Sequence, residues 1–180
     1  IRFTSGNAIE YVNVDSASTT DSLITSRLFR DTTNWYHIVL VVDTTESTDS
    51  DRIKIYINGT QETSFSTSNY PTLNYDTDFS NTSNHQLGAR NSTVQPFDGY
   101  MAEVNFIDGT ALTPSSFGET KNGVWIPKAI SGLTYGTNGF RLTFADSSSL
   151  GDDTSGNGND FTSSGLASTD VVPDSPTNNF

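Results

Sequence analysis

The 180-residue sequence predicts an all-β protein: an antiparallel β-sandwich followed by a β and coil extension. Three observations predict it. Ser and Thr supply 50 residues, which suits exposed strand faces and turns far better than helix interiors. Of the 21 acidic residues 16 are Asp and only 5 are Glu, a ratio that favours turns over helices. Residues 34–59 then run from a long apolar segment through an acidic loop to a strictly alternating segment and an Asn-Gly turn.

The elements follow in order. Residues 1–4 and 8–14 read as two strands around the turn Ser5-Gly6-Asn7. Residues 21–29 form a third, with Leu23, Thr25, Arg27 and Phe29 alternating against Ile24, Ser26, Leu28 and Arg30, so its inward face is ambiguous. Residues 35–42 are apolar on both parities and predict a central strand buried on most of both faces. In 52–58, Ile53, Ile55 and Ile57 point inward, and Arg52, Lys54 and Tyr56 point outward. Asn58-Gly59 supplies the positive φ angles of a two-residue hairpin turn, and 61–66 returns. Residues 85–90 and 97–107 read as the last strands of this block. Asp108-Gly109 is a tight turn. Thr113-Pro114-Ser115-Ser116-Phe117 reads as an N-cap with Pro at the first helical position, giving one or two turns. Residues 122–139 read as a Gly/Pro-punctuated connection, 140–144 as a further strand and 175–180 as an extended tail. No helix of three turns is expected. The expected sandwich core draws on Trp35, Ile38, Leu40, Val42, Ile53, Ile55, Ile57, Met101, Val104 and Phe106.

Composition excludes several functions. The net charge is −12 with nine Lys plus Arg, so there is no basic stripe for nucleic-acid phosphates, and an anionic membrane surface repels the chain. There is no Cys, hence no disulfide, thiolate metal site or Cys nucleophile. The longest apolar run, residues 38–42, is far too short for membrane insertion. A chain that opens on Ile1 already inside a strand reads as the interior of a larger polypeptide.

Four pieces, correct in order and spacing, carry a family resemblance over residues 1–118. They are Trp35-Tyr36-His37-Ile38 leading into the acidic loop, Ile55-Tyr56-Ile57-Asn58-Gly59, Leu87-Gly88-Ala89, and Phe97-Asp98-Gly99-Tyr100-Met101-Ala102-Glu103-Val104 followed by Ala111-Leu112-Thr113. This pattern resembles laminin-G-like modules, the concanavalin-A-like or pentraxin-like jelly rolls. The resemblance implies a jelly-roll β-sandwich and a binding or assembly module. Ala102 departs from it, standing where the family often has Asp before the strand glutamate. The family's first strands normally precede a segment like residues 1–14, so one sheet edge is expected to be open, or filled by residues 139–162 or by a neighbouring chain. Downstream, Gly139-Phe140, Leu142, Phe144 and the run Asp153-Thr154-Ser155-Gly156-Asn157-Gly158-Asn159-Asp160-Phe161 are similar to the opening of another such module. Together with Gly123 to Lys128 and the Pro176 to Phe180 end, they resemble structural proteins of tailed bacteriophages. The implied domains are a sandwich at 1–118, a linker at 119–138 and an extension at 139–180.

Chemistry is sparse. Glycosidases on this fold use Glu-x-Asp-x-x-Glu, which is absent; Glu103 has no acidic partner two residues away, so no catalytic residue is assigned and the chain reads as a non-enzyme. His37 and His85 lie in strand-like segments without a Ser or Cys elbow and read as structural. Calcium is the one cofactor the chain points to: Asp152, Asp153, Asn157, Asn159 and Asp160 gather hard oxygens and glycines in nine residues. The plainer alternative is an Asn/Gly turn whose side chains bond their own backbone. The acidic loop 43–51 is a poorer candidate. Tyr56, Tyr70, Tyr75 and Trp125 are candidates for stacking on sugar rings. The sequons at Asn58, Asn81 and Asn91 matter only in a eukaryotic secretory pathway.

The resulting expectation is a non-enzymatic virion-surface module of a bacteriophage, partnered by other virion proteins or copies of itself and by cell-surface glycans. The alternatives are a secreted bacterial carbohydrate-binding module attached to a hydrolase elsewhere and, more distantly, a hydrolase on the same fold.

Overall fold

A computed structural model of the chain describes residues 1–14, 20–78, 84–89 and 96–176. It is built of antiparallel strands, and no α-helix occurs among the described residues. The chain forms two compact units that interleave along the sequence. The first comprises Ile1–Thr77 and Ala111–Gly132, and the second Asp78–Thr110 and Leu133–Phe180. The blocks 1–118, 119–138 and 139–180 read from the sequence do not coincide with these units.

The first unit holds the two sheets of the sandwich. Strands β1 (Arg2–Phe3), β2 (Ala8–Val14), β3 (Thr20–Leu28) and β7 (Phe65–Asn69) form one sheet in the order β1-β2-β3-β7. Strands β4 (Ile38–Val42), β5 (Ile53–Ile57) and β6 (Thr60–Gln61) form the other. The turn between β1 and β2 closes with positive φ at Asn7, one of the few residue types that tolerates it. Register settles the ambiguous face of β3: Leu23 pairs with Tyr11 and both are wholly buried, whereas Ile24 is half-buried. A register shift between Ala8 and Glu10 takes Ile9 out of the regular ladder, and its N–H donates instead to the buried Thr25 hydroxyl at 3.0 Å. A hydroxyl there satisfies a buried donor that an aliphatic residue would orphan.

In β5 the alternation holds as read: Ile53, Ile55 and Ile57 are at most 2% exposed. Asn58 and Gly59 both take positive φ, 50° and 77°, as the hairpin turn requires. The return segment then divides. Thr60–Gln61 stays paired with β5. Glu62 donates from its N–H to Ile55, and by Ser64 the chain accepts a hydrogen bond from Ser26 at the edge of the other sheet, where β7 forms.

Several expectations are corrected. The strand read over 35–42 covers only Ile38–Val42, and its residues are half-buried; β4 pairs with β5 on one side and is the last strand of its sheet among the described residues. Trp35 is likewise half-buried. The strand read over 97–107 is confined to β8 (Val104–Phe106); the chain before it is irregular, Glu103 sits at φ 52°, and Met101 is 42% exposed rather than in the core. Residues 85–89 carry no strand, and Arg90 lies outside the described residues. The helix at Thr113 is one 3-10 turn, Pro114–Ser116, with Pro at its start and no capping bond from Thr113, whose hydroxyl meets Ser115 instead. The connection 122–139 contains half of a hairpin: β9 (Gly118–Lys121) and β10 (Val124–Pro127) pair across Asn122-Gly123, a second Asn-Gly turn with φ of 53° and 80°.

In the second unit, β11 (Phe140–Leu142) pairs antiparallel with β8, Phe140 opposite Phe106 and Leu142 opposite Val104. β8, within the family-like block, is thus paired by a segment beyond residue 118, while the strands of the two sandwich sheets pair among themselves within residues 2–69. Phe140 lies between Phe106 and Phe161, with ring centroids 5.6 and 4.8 Å apart. Gly139 is required here: a Cβ would fall 1.8 Å from the Tyr135 carbonyl oxygen.

Candidate functional site

Because the isoleucines of β5 point inward, Lys54 and Tyr56 point out from the same strand. Tyr56 is flanked by Val39 of β4 and Gln61 of β6, and Lys54 by Val41. The Lys54 ammonium lies 3.2 Å from the Asp51 carboxylate. Burial is the largest single influence and opposes its charge, but the hydrogen bond and charge of Asp51, with Tyr56 and Glu46, together outweigh it and raise the Lys54 pKa. Tyr70 follows β7; burial, then Asp49 and Asp51, push its phenol upward. The charges of the Lys54–Asp51 pair thus act on both tyrosines, Tyr56 beside Lys54 and Tyr70 through Asp51.

The acidic loop beside this face is held by Arg52, whose guanidinium donates to the carbonyls of Glu46, Pro71 and Ser47 at 2.8, 2.8 and 3.0 Å. Within it, Asp43 accepts from the N–H and hydroxyl of Thr45. One arginine satisfying three carbonyls sets a loop that would otherwise have many conformations. Sequence reading missed this role, because an outward arginine on a strand carries no signal of what it bonds.

The other two candidate aromatics, half-buried like Tyr56 and Tyr70, make different contacts. Trp125, on β10, is half-buried; its indole N–H donates to His37 Nδ1 at 3.1 Å, and its ring covers Gly59 and Gly118. Both glycines leave room for the ring, so this indole anchors the β9–β10 hairpin. The pairing of Gly118-Glu-Thr-Lys and Val-Trp-Ile-Pro around Asn122-Gly123 was the available sequence signal. Tyr75 is half-buried beyond β7, and its N–H donates to the Thr72 carbonyl. His37 belongs to the Trp125 anchor, and burial pushes its imidazole pKa down. His85 meets the Phe106 ring at 6.4 Å.

The loop proposed for calcium is bound up with itself. Asp153 accepts four hydrogen bonds: from Arg141 N and Ser155 N on one oxygen, and from the Ser155 hydroxyl and Asn159 N on the other, at 2.8–2.9 Å. Burial alone would raise its pKa, but these donors outweigh it and hold the carboxyl below the usual range. Asp160 accepts from Asp153 N, and Asp152 accepts from the Ser149 hydroxyl. Asn157 and Asn159 turn their amide nitrogens to the carbonyls of Gly136, Thr137 and Gly139. A calcium site needs oxygens converging on one point. Here the strongest oxygen donor is committed to N–H and O–H groups, and no cluster of three or more His, Asp or Glu side chains suited to a metal occurs among the described residues.

Glu103, the carboxylate of the family-like strand, is held in a bidentate pair by Arg141 at 3.1 and 3.0 Å. The guanidinium takes one lone pair of each carboxylate oxygen, so the two side chains are fixed against each other.

The profile of the concanavalin A-like lectin/glucanases superfamily matches residues 1–116, well over half of the chain and every strand of both sandwich sheets. The chain belongs to this superfamily. No curated protein and no solved structure matches it. Membership makes the fold a concanavalin A-like β-sandwich and points to a carbohydrate-binding or structural module. The β9–β10 hairpin and β11 lie beyond the matched lectin/glucanase-like residues.

Proposed function

We propose that the chain is a non-enzymatic, glycan-binding structural module of a bacteriophage virion surface, and that it meets sugar through the outward face of β5. The observation that carries the glycan reading is the outward Tyr56 beside the Lys54–Asp51 pair, with Gln61 adjacent and Tyr70 facing the same acidic loop. A sugar ring presents axial C–H groups and hydroxyls together, so an aromatic side chain edged by a cation, a carboxylate and an amide matches both. Superfamily membership supports this reading. The committed state of Glu103 supports a role without hydrolysis. The virion placement rests on the resemblance of residues 123–180 to tailed-phage structural proteins, and the acidic surface suits solubility in a crowded particle. Binding of the full chain to a glycan array, compared with Tyr56→Ala, tests the glycan reading. Antibody labelling of particles tests the placement. Glycan binding by a chain found free outside cells would favour the secreted carbohydrate-binding alternative.

A further inference from the structure

Residues 133–161 grip the strand 104–106 and its flanks through contacts that are wholly segment-to-segment. The β11–β8 ladder gives three residue pairs. Arg141 clamps Glu103, and the Tyr135 hydroxyl donates to Asn105 at 2.8 Å. Asn138 donates twice to the Asp108 carboxylate, while Asp108 N donates to Tyr135. Phe140 enters between Phe106 and Phe161. The gripping segment is braced internally: Asp153 holds the Arg141 N–H, and Asn157 and Asn159 hold the carbonyls of residues 136–139. It is therefore shaped for its partner strand before binding, which limits the entropy lost on docking.

The two halves of this unit are not continuous. The chain leaves it after Thr110, residues 111–132 belong to the other unit, and it returns at Leu133. The return passes through Ala129, Ser131 and Gly132, all exposed, with Gly132 at φ 70°.

We propose that residues 133–161 are a transferable strand clasp, that residues 103–108 are its receptor, and that a second copy of this chain can supply the clasp. The receptor reads an aromatic–cation–aliphatic strand, Phe140-Arg141-Leu142, by strand addition with side-chain selection. Exchange replaces every contact with its identical counterpart, the condition under which swapping costs least. The tether favours self-docking in dilute solution, and exchange grows with concentration or after partial unfolding. The inference stands whether or not the module binds glycan.

Charge reversal tests it in the full chain. Glu103→Arg sets two arginines against each other, and Arg141→Glu sets two glutamates. Each variant alone, self-docked or exchanged with its own kind, keeps like charges together and melts below wild type. The double variant in one chain restores unlike charges and recovers most of that loss, showing that the substitutions permit folding. When the two single variants are unfolded and refolded together, exchange between unlike copies restores the pair at both receptors. The expected result is a one-to-one heterodimer by light scattering and native mass spectrometry, melting near the double variant. If a single variant does not fold alone, the co-refolded mixture still reads the outcome. A mixture that yields no heterodimer overturns the proposal.

Discussion

The Trp125 indole N–H donates to His37 Nδ1 at 3.1 Å, with the two ring planes inclined by 35°. The same histidine exchanges backbone bonds with the β5–β6 turn: its N–H donates to Asn58 Oδ1, and its carbonyl accepts from Asn58 N, both at 2.8 Å. One anchor thus joins the start of β4, the Asn58-Gly59 turn and the β9–β10 hairpin.

That anchor makes stability depend on pH near neutrality. Nδ1 can accept the indole proton only while the imidazole is neutral, and burial lowers the His37 pKa below its ordinary 6.5. Between those two values the unfolded chain binds the proton and the folded chain does not, so stability falls as pH drops below about 6.5 and levels off once the folded pKa is passed. Carboxylates held below 3.8, Asp153 among them, contribute stability that is lost only at lower pH, as it falls through their folded values. Melting temperatures from pH 7.5 to 5 are expected to decline in wild type and to be nearly flat over that interval in His37→Gln.

Packing around the indole gives a second prediction. A Cβ at Gly118 would lie 2.6 Å from Trp125 Cζ2, and one at Gly59 would lie 2.3 Å from Cε3 at a positive φ. Gly118→Ala should therefore cost roughly 1–3 kcal/mol, the usual range for overpacking. Combining it with Trp125→Ala should recover part of that, because the ring atoms are gone while the Ile126 carbonyl oxygen, 2.8 Å from the added Cβ, remains. Chemical denaturation of the four chains gives the coupling; additive losses would remove Trp125 as the obstacle.

What the sequence made legible was local. The alternation of Ile53, Ile55 and Ile57 and the Asn58-Gly59 turn encode their structure within a few residues, and both appear as read. The apolar run 38–42 says that a strand forms but not how many neighbours it gains, and β4 proved half-buried. Residues 97–103 have strand composition, yet the chain is irregular there and Glu103 takes positive φ. Trp125 carries the signature of a sugar platform, and the close approach of Gly118 across its own hairpin and of Gly59, distant in sequence, shows that it is clamped. The Asp153 loop illustrates the same limit. Its residue types suit either calcium or self-bonding, and only the three-dimensional placement shows which protein donors Asp153 accepts from.

The self-bonded loop yields a third prediction. Asp153→Ala orphans four donors that are partly removed from water, so a loss of about 2–4 kcal/mol is expected, since each unmade bond costs on the order of 1 kcal/mol or less when water can enter. Wild-type melting temperature is expected to be the same in calcium and in chelator, because Asp153 is already engaged by four protein donors. A rise of several degrees on adding calcium would assign the loop to the cation after all.

Burial separates stability from binding on β5. Ile55 is fully buried, and Ile55→Ala is expected to cost about 2–5 kcal/mol by denaturation. Its neighbour Tyr56 faces outward, so Tyr56→Ala should leave the melting temperature within a few degrees of wild type. Equal losses at the two positions would mean that Tyr56 is part of the packing.

The central claim is that the outward face of β5 binds glycan without cleaving it. The most direct measurement is isothermal titration of a glycan that scores on the array, against wild type and Tyr56→Ala, with the recovered glycan analysed for hydrolysis. The account predicts saturable binding by wild type, at least tenfold weaker binding by the folded variant, equivalent to about 1.4 kcal/mol, and intact glycan after incubation. Unchanged affinity in Tyr56→Ala, or cleaved glycan, would contradict it.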